Sequence, residues 1–394
     1  MIWKNKGHEK DYLADQLIAC YSKTPQIYVF GAGMKGRELA LVLQKYGCFA
    51  GYLDNDIEKQ KQEYGDYKVY SLNEFLHHRD GIIVVAVSQK NTSVIDGQLK
   101  AFDLVDGKDY FLYDEFCDVV FPVLSVYYYD KVFVSLAQVS LTERCTLKCK
   151  KCAHACYAVN NNVAKDMTLE QAYKSTDSFF AKVDFIKEFV LIGGEPLLYR
   201  ELAKVIQYIG ERYRQKTGVF SITTNGTLIP SEEILCACRK YNVMFRISNY
   251  VRQLPWLKEK YERLTECLGK NRIPYVLGEE EWEWMDYGFD FLERKGTRDE
   301  LIRVFDLCRT PCREIRENRF YFCVMARSVS ENLGYGLGTD DYLDLDKLTG
   351  EDYKKELLEF TLGYSEKGYL DMCDRCNGAE AKEYPIPAAE QVKK

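Results

Sequence analysis

The sequence contains no apolar stretch long enough to span a membrane and no recognisable secretory signal. Hydrophobic residues make up 46% of its 394 residues but occur in short, interrupted segments, whereas a membrane helix needs about 20 consecutive apolar residues. The first residues, MIWKNK, lack the apolar core and small-residue cleavage site of a signal peptide. We therefore expect a folded cytoplasmic protein without a membrane span.

A strong positive charge is also absent. The chain carries 54 Lys and Arg against 60 Asp and Glu, which gives a formal net charge of −6, and its basic residues are only modestly clustered. Proteins that bind nucleic acid as a polyanion usually present a basic surface. We therefore expect no nucleic-acid partner, although a local basic pocket for one or two phosphates is compatible with this composition.

Cysteine, in contrast, is abundant and unevenly distributed. In a reducing compartment, spaced cysteines indicate metal binding rather than disulfides. Of the fifteen cysteines, two groups stand apart, one between residues 145 and 156 and one between residues 308 and 376. The remaining ones are predicted to be small buried hydrophobic residues: Cys20, Cys48, Cys117, Cys236, Cys238 and Cys267.

The first group has the spacing C-x3-C-x2-C, formed by Cys145, Cys149 and Cys152. Thiolates are soft ligands that suit iron-sulfur clusters, and three on one loop can converge on a cubane whose fourth iron stays open. Positive neighbours favour the thiolate form: Lys148, Lys150 and Lys151. Zinc is the alternative, because His154 or Cys156 could complete a tetrahedral ligand set.

Three further landmarks follow this motif in order, each at the end of a predicted strand. They are Gly193-Gly194-Glu195-Pro196, Thr224-Asn225-Gly226 and Ser248-Asn249. Together with the cysteines they resemble the radical S-adenosylmethionine (SAM) enzymes, whose cysteine motif follows the first barrel strand and whose GGEP-type turn follows the second. The resemblance implies a partial, parallel (β/α)6 barrel over about residues 130–290 with its chemistry at the strand ends.

The resemblance also implies what these residues bind. The three cysteines would hold a 4Fe-4S cluster, and SAM would chelate its open iron. Gly193 and Gly194 would let the backbone approach the methionine amino group, which Glu195 would help to bind. Four later residues would contact SAM, the last two at its ribose or carboxylate: Thr224, Asn225, Ser248 and Asn249. A simple turn is an equal alternative for residues 224–226.

Before this region, the sequence predicts a nucleotide-binding unit. A strand over residues 26–30 leads into Gly31-Ala-Gly33-Met-Lys-Gly36 and a helix, and a second strand ends at Asp54. Such glycines permit a tight turn, and the helix N-terminus offers amides to a phosphate. The unit resembles the small Rossmann-like domain at the start of bacterial sugar N- and O-acetyltransferases, whose pocket can hold a nucleotide-sugar. NAD(P) binding and a purely structural turn are the alternatives.

A second cysteine group lies far downstream: Cys308, Cys312, Cys323, Cys373 and Cys376. The arrangement resembles the auxiliary-cluster extension of radical SAM enzymes, called twitch or, in its longer form, SPASM. It implies a second 4Fe-4S cluster held by four of the five cysteines. The favoured ligands are Cys312, Cys323, Cys373 and Cys376, and Cys308 is the substitute for one of them. Asn318 stands where the SPASM pattern has glycine, and zinc is again the alternative.

These inferences combine into an α/β protein of three domains. Residues 1–115 form a Rossmann-like nucleotide-binding domain, residues 116–290 the radical SAM core, and residues 291–394 a small iron-sulfur cap. Within the core, residues 116–138 are predicted to be a connector packed against the barrel, with the tyrosines at 127–129 covering a sheet edge.

The resemblance implies an enzyme that cleaves SAM to a 5'-deoxyadenosyl radical, which abstracts hydrogen from a sugar or sugar-nucleotide substrate. The net reaction would be a dehydrogenation or an epimerisation in polysaccharide or glycoconjugate biosynthesis. An external electron donor such as flavodoxin or ferredoxin would be its partner. A peptide-modifying radical SAM enzyme and a non-catalytic iron-sulfur redox protein are the alternatives.

Overall fold

The computed structural model describes residues 9–20, 26–78, 81–289, 293–308, 312–336, 338, 341–363 and 367–392. By their contacts, these residues fall into two compact units, divided between Ser135 and Leu136. Residues 116–135 thus cluster with the first unit, and the residues after 290 cluster with those of the second. The three-domain division at 115 and 290 stays a prediction.

The first unit alternates short strands with helices. Its elements are α1 (Glu9–Cys20), β1 (Ile27–Phe30), α2 (Met34–Tyr46), β2 (Phe49–Leu53), α3 (Ile57–Gln60), β3 (Glu63–Tyr64), β4 (Tyr67–Tyr70), α4 (Leu72–His78), β5 (Ile82–Val85), α5 (Gln89–Lys100), β6 (Tyr110–Leu112), α6 (Tyr113–Glu115), a π-helical turn (Phe116–Val120) and α7 (Phe121–Tyr129).

The strands of the first unit form a sheet in the order β3-β4-β2-β1-β5-β6. All neighbours are parallel except β3 and β4. Strands β1 and β5 are short apolar runs, as expected of parallel strands that helices cover on both faces. Because the chain continues on opposite sides of β1, a crevice opens at the carboxyl ends of the strands.

The predicted connector is helical. Pro122 lies at the start of α7, directly after the π-helical turn over Phe116–Val120, where its missing N–H interrupts the hydrogen bonds of a continuous helical segment. The ring of Tyr129, at the end of this helix, lies 5.1 Å from that of Tyr46 in an edge-to-face contact. These tyrosines therefore belong to a helix that contacts α2, and the prediction that they cover a sheet edge stays a prediction.

The second unit contains longer strands with amphipathic helices between them. Its elements are β7 (Phe133–Ser140, which crosses the division), α8 (Leu169–Phe180), β8 (Phe185–Ile192), α9 (Leu202–Tyr213), β9 (Thr217–Thr224), α10 (Glu232–Tyr241), β10 (Val243–Ile247), α11 (Leu257–Lys270), β11 (Tyr275–Leu277), β12 (Glu283–Met285), α12 (Arg298–Leu307), β13 (Glu314–Arg316), β14 (Arg319–Tyr321), α13 (Val324–Leu333), β15 (Tyr342–Asp344), α14 (Tyr353–Thr361) and β16 (Pro385–Pro387).

The main sheet of this unit has the order β11-β10-β9-β8-β7-β13-β14-β15, and β12 pairs with β16. Strands β8, β9, β10 and β11 are mutually parallel, so their carboxyl ends meet at one edge. The helices begin where the sequence supplies caps: Thr168 forms a capping box with Gln171 at α8, and Ser231 caps α10. The mixed α/β class with parallel strands is confirmed.

None of the helices in the described residues is both long enough and apolar enough to cross a membrane.

Candidate functional site

The shared edge of β8, β9 and β10 brings the predicted landmarks together. Glu195, just after β8, accepts hydrogen bonds from the Thr224 hydroxyl at 2.8 Å and from the Asn225 backbone N–H at 2.9 Å. The Ser248 N–H, after β10, donates to the Thr224 carbonyl at 2.9 Å. The three strand ends are therefore bonded to one another.

Glu195 is fully buried, and its carboxylate is occupied by protein donors. Burial raises its pKa to about 7, although hydrogen bonds from Asn225, Thr224 and Leu197 act in the opposite direction. These contacts make the side chain a brace between the loops after β8 and β9. Its contact with SAM stays a prediction.

The two glycines of the GGEP turn are required by the neighbouring backbone. A Cβ at Gly193 would lie 2.4 Å from the Thr142 carbonyl oxygen, and one at Gly194 would lie 2.2 Å from that of Arg144. The turn bonds to the same two carbonyls, through the N–H groups of Gly194 and Glu195, each at 2.8 Å. The glycines thus let the turn pack directly against the start of the cysteine loop.

N–H donors point at the sulfurs of this loop. Cys145 and Cys149 are buried and Cys152 is partly exposed. The Cys145 sulfur accepts from the Leu147 N–H at 3.4 Å and from the Asn225 side chain at 3.6 Å. Such donors are what a negatively charged thiolate or cluster sulfur needs in a buried site.

The three thiols are close enough to affect one another's ionisation. Burial, with a smaller contribution from the charge of Cys152, raises the pKa of Cys145 and of Cys149 to about 12. The Cys156 thiol lowers the pKa of Cys152. Burial also raises the pKa of Tyr250, with a contribution from the charges of Cys149 and Cys152. Three thiols that lie near one another on one loop are a donor set that suits an iron-sulfur cluster.

The charge of Lys148 lowers the pKa of Cys145, although burial outweighs this effect. Each lysine between the cysteines also has a structural partner: Lys148 donates to the Cys156 carbonyl at 2.7 Å, Lys150 pairs with Glu390 at 2.5 Å, and Lys151 pairs with Asp286 at 3.2 Å. They anchor the loop to the surrounding chain.

A cavity of about 560 Å³ lies at the carboxyl ends of β10 and β11. Ser248 lines it, together with Gly278 and Trp282. Asn249 is instead engaged by neighbouring backbone, since it donates to the Gly278 carbonyl at 3.0 Å and accepts from the Val251 N–H at 3.2 Å. Of the two residues predicted at this position, Ser248 faces open space and Asn249 holds the loop.

The downstream cysteines also come together, although they lie on separate elements. Cys308 ends α12, Cys323 begins α13, Cys373 lies in a 3-10 turn over Asp371–Arg375, and Cys376 forms a β-bridge with Gly288. The charge of Cys308 contributes to the raised pKa values of the other three. Cys308, which the sequence analysis treats as the substitute ligand, therefore lies within electrostatic range of the other three cysteines.

Tyr287 faces this second group. Burial raises its pKa to about 12, and the charges of four cysteines add to the effect: Cys308, Cys312, Cys376 and Cys323. Four of the five predicted cysteines therefore lie within electrostatic range of Tyr287.

Asn318, where the SPASM pattern has glycine, occupies a turn that glycine would also suit. Glu317 and Asn318 have φ values of 51° and 61° and form the two-residue turn between β13 and β14. Two successive positive φ values define a type I′ turn, in which asparagine is tolerated. The departure from the pattern therefore preserves the backbone conformation.

In the first unit, a cavity of about 710 Å³ lies at the crevice beside β1. Gly31 and Gly36 are required by packing, since a Cβ would lie 2.7 Å from the Ala86 oxygen at Gly31 and 1.8 Å from the Gly31 oxygen at Gly36. Gly33 lines the cavity at the start of α2, and a Cβ there would meet nothing within 4 Å. The helix N-terminus is therefore open to a ligand.

Asp54 also lines this cavity, but protein donors surround its carboxylate. It accepts from the Ala32 N–H and the Lys59 ammonium, each at 2.9 Å, and from the Asp56 N–H at 3.0 Å. Burial opposes ionisation, but these donors, Lys59 first, hold the pKa of Asp54 below its usual value. Asp54 thus braces the glycine loop.

No group of three or more His, Cys, Asp or Glu side chains within the described ranges is arranged to hold a single metal ion. The ligands of a cubane bind different irons and so need not converge on one point. Neither zinc alternative gains support.

Two contacts of the site were not predicted. Gln391 donates to the Cys149 sulfur at 3.2 Å from 242 residues further along the chain, and no local pattern signals such a partner. Glu143 accepts from the fully buried Arg327 at 2.8 Å. A carboxylate two residues before the first cysteine, at the end of an apolar strand, is a signal that could have revealed it.

Comparisons with known proteins agree with this geometry. Residues 139–251 match the family model described as the Radical SAM superfamily. This part of the chain is thus similar to a radical SAM domain. This match spans β8, β9 and β10 together with the loop that carries the first cysteine group.

Two curated relatives are GTP 3',8-cyclases, from Rhizobium leguminosarum bv. trifolii (strain WSM2304) and Rhizobium etli (strain CIAT 652). They are 32% and 30% identical to this chain over 116 residues, which are 28% of the chain and 32% of each relative. The alignment thus spans about a third of the length of these curated relatives.

Solved structures with some likeness include BtrN in complex with AdoMet and 2-DOIA, at 17% identity and a TM-score of 0.42 over 66% of this chain and 97% of that one. Streptococcus suis SuiB bound to S-adenosylmethionine gives 16% identity and a TM-score of 0.30 over 49% of this chain and 45% of that one.

Proposed function

We propose that this protein is a radical SAM enzyme that abstracts hydrogen from a sugar or sugar-nucleotide substrate. The observation that carries the proposal is the combination, in one chain, of a radical SAM domain over residues 139–251 with a cavity at the carboxyl edge of the first unit's parallel sheet. The radical chemistry belongs to the domain, and the substrate class is inferred from the cavity.

The residues of the first cysteine group suit a 4Fe-4S cluster. When bound by Cys145, Cys149 and Cys152, such a cluster supplies the electron that cleaves SAM to methionine and a 5'-deoxyadenosyl radical. The chain contributes the buried thiols, the N–H donors around them, and the brace of Glu195 that holds the strand ends in register. Ser248, in the adjoining cavity, is the predicted SAM contact that has open space before it.

An aromatic cluster lies beside that cavity. The Tyr250 ring is buried and stacks on Trp282 at 6.4 Å and packs edge-on against Trp284 at 5.8 Å, whereas Trp282 itself is 48% exposed. A reactive carbon radical needs a dry site, so that the C–H bond of the substrate is its nearest partner. The buried Tyr250 supports such a site at the strand ends, and a bound substrate would have to cover Trp282.

The first unit supports a Rossmann-like domain with a nucleotide-sugar as ligand rather than NAD(P). Its cavity has an open helix N-terminus at Gly33 and two lysines, Lys35 and Lys59, which suit phosphate oxygens. A dinucleotide ribose is normally held by a carboxylate at the position of Asp54. Here three protein donors already occupy that carboxylate, which leaves little capacity for a ribose diol.

The second cysteine group supports an auxiliary 4Fe-4S cluster in a twitch-like cap, held by four of Cys308, Cys312, Cys323, Cys373 and Cys376. Buried N–H donors occur here as well, since the Gly378 N–H donates to the Cys376 sulfur at 3.3 Å. An auxiliary cluster that accepts an electron from the substrate would make the net reaction a dehydrogenation.

Anaerobic reconstitution with iron and sulfide tests the chemistry. With SAM and a strong reductant, we expect 5'-deoxyadenosine from the parent and none from Cys149→Ala. Cys236→Ala, at an exposed position outside both groups, serves as the control and should behave like the parent. Absence of 5'-deoxyadenosine from the parent would overturn the radical SAM proposal in favour of an iron-sulfur redox protein.

A thermal-shift panel tests the substrate class. UDP-, GDP- and dTDP-sugars are compared with NAD and NADP, and we expect one of the nucleotide-sugars to raise the unfolding temperature. Lys59→Met should abolish that increase. Stabilisation by dinucleotides alone would contradict the sugar assignment and leave a peptide as the competing substrate.

A further inference from the structure

A segment that we call the strap, residues 385–392, runs from β16 to the cysteine loop. After β16 pairs with β12, the strap lies antiparallel to the loop, with Gln391 opposite Cys149. The Lys150 N–H donates to the Glu390 carbonyl at 2.7 Å, and the Val392 N–H donates to the Lys148 carbonyl at 2.8 Å. The middle of the three-cysteine motif is therefore held in a short β-ribbon.

The amide of Gln391 can take only one orientation in this ribbon. Its Oε1 accepts from the Lys148 backbone N–H at 2.8 Å, a group that can only donate. Its Nε2 then faces two acceptors, the Ala389 carbonyl at 2.7 Å and the Cys149 sulfur at 3.2 Å. A reversed amide would place its Nε2 against the Lys148 N–H and its Oε1 against the Ala389 carbonyl and the Cys149 sulfur. The N–H group of Gln391 must therefore face the sulfur.

We propose that Gln391 is a positioning residue for the iron-sulfur cluster, and that its N–H···S hydrogen bond makes the cluster easier to reduce and slower to lose. This inference rests on the proposed function of Cys145, Cys149 and Cys152. Reduction adds a negative charge to a cluster, and hydrogen bonds to its sulfurs stabilise that charge and raise the potential.

The surroundings of Cys149 make this hydrogen bond matter. Cys149 is only 8% exposed, so water has little access to replace a lost donor. The donors to Cys145 are longer, at 3.4 and 3.6 Å, which leaves the 3.2 Å contact of Gln391 the shortest of these three. The strap therefore both holds the cysteine loop in place and donates a hydrogen bond to the Cys149 sulfur.

Two substitutions of Gln391 and one neighbouring control separate this role from a general loosening of the strap. Gln391→Glu keeps an oxygen for the Lys148 N–H but puts a negative charge, in place of the N–H, on the sulfur. Gln391→Ala removes the donor without adding charge. Val392→Glu, the control, adds the same negative charge to the strap at an exposed neighbouring position and keeps the backbone hydrogen bond from Val392 to Lys148.

The reconstituted proteins are compared by potentiometric titration followed by electron paramagnetic resonance, with and without SAM. The signal that SAM perturbs identifies the cluster with the open iron, which separates it from any auxiliary cluster. We expect its midpoint to become more negative in Gln391→Glu, less so in Gln391→Ala, and to stay near the parent value in Val392→Glu.

Iron release to a chelator gives a readout that needs no turnover. Because removing an outer hydrogen-bond partner typically weakens metal binding by about 10- to 100-fold, the chelator concentration that removes half the iron should fall about tenfold in Gln391→Glu. Circular dichroism and thermal unfolding of each variant check that the fold persists.

Two results would overturn the role of Gln391 alone: a SAM-responsive cluster with parental potential and iron retention in both Gln391 variants, or equal shifts in Gln391→Glu and Val392→Glu. A parent protein that assembles no SAM-responsive cluster would instead remove the proposed function and, with it, this inference.

Discussion

The two cysteine groups are built in different ways. The first lies on a single loop, and its three thiols are brought together by local spacing at the edge of a parallel sheet. The second is assembled from the end of α12, the start of α13 and a 3-10 turn near residue 373. A contiguous motif encodes its own geometry, whereas the second group depends on the packing of distant elements.

The two groups are nevertheless joined by a buried ion network. Helix α13 begins at Cys323, and its Arg327 donates to Glu314 at 2.7 Å, to Glu143 at 2.8 Å and to Glu331 at 3.0 Å. Glu143 lies two residues before Cys145 in the chain. The frame of the second group is thereby connected to the base of the first.

Removing one cysteine from each group should give the largest effects and distinguish their roles. We expect Cys149→Ala to lose the SAM-responsive cluster and all 5'-deoxyadenosine formation. Cys323→Ala should keep that cluster and form 5'-deoxyadenosine, while its iron content falls by the amount due to the second group. Iron and sulfide analysis with product chromatography measures both. If Cys323→Ala abolished SAM cleavage as completely as Cys149→Ala, the functional separation would be wrong.

The sequence predicts what is local. The cysteine spacing, the GGEP turn and the strand ends at Thr224 and Ser248 follow one another in order, and the parallel sheet then brings them to one edge. The short apolar strands and the glycine loop of the first unit are likewise readable from periodicity and turn chemistry. Element bounds shift by a few residues because helix and strand ends depend on capping and pairing.

What sequence analysis missed depends on long-range contacts. Gln391 approaches Cys149 only because the strap is paired with both β12 and the loop. Asp54 has the position of a ribose ligand but is occupied by Lys59, which no spacing rule foretells. The tyrosines at 127–129 did not reveal their helix, α7, which contacts α2 through the rings of Tyr129 and Tyr46.

Removing the charge that links the two groups should give the next largest effect. Arg327→Leu leaves Glu314 and Glu143 buried without their main partner, which typically costs about 3–5 kcal/mol. For a unit of this size, that corresponds to a drop of roughly 10 °C in the unfolding temperature. Calorimetry of the reconstituted protein measures it, with the exposed Arg239→Leu as control. Equal drops in both variants would show that the network contributes nothing.

A smaller, pH-dependent effect should come from Glu195, which braces the first group. Its folded pKa of about 7 lies above the ordinary 4.5, so the native state retains a proton that the unfolded state releases. The stability from this group is therefore full below about pH 4.5 and is lost as the pH rises through about 7, in total about 3 kcal/mol.

Glu195→Gln removes this titration, although it also loses the Asn225 hydrogen bond at every pH. We expect the unfolding temperature of the parent to fall more steeply between pH 5 and pH 8 than that of the amide variant. Glu266→Gln, at an exposed site, is the matched control and should keep the parental slope. Parallel curves for the parent and Glu195→Gln would contradict the raised pKa.

The smallest effect should come from Asn318, which tests whether the second group needs a side chain or only a backbone at this turn. Its side chain donates to Asp346 at 2.9 Å, an exposed contact of little value, while glycine would remove the cost of a positive φ. Asn318→Gly should therefore change stability by no more than about 1 kcal/mol and keep the iron of the second group.

Asn318→Val places a β-branched residue at the same φ, which costs about 1–2 kcal/mol, and should lower both the unfolding temperature and the iron content of the second group. The first group, whose loop forms independently of this turn, should be unaffected in both variants. An equal loss of stability and iron in Asn318→Gly and Asn318→Val would show that the side-chain contacts of Asn318, rather than its backbone conformation, hold the hairpin. The second group would then depend even more than the first on packing between distant residues.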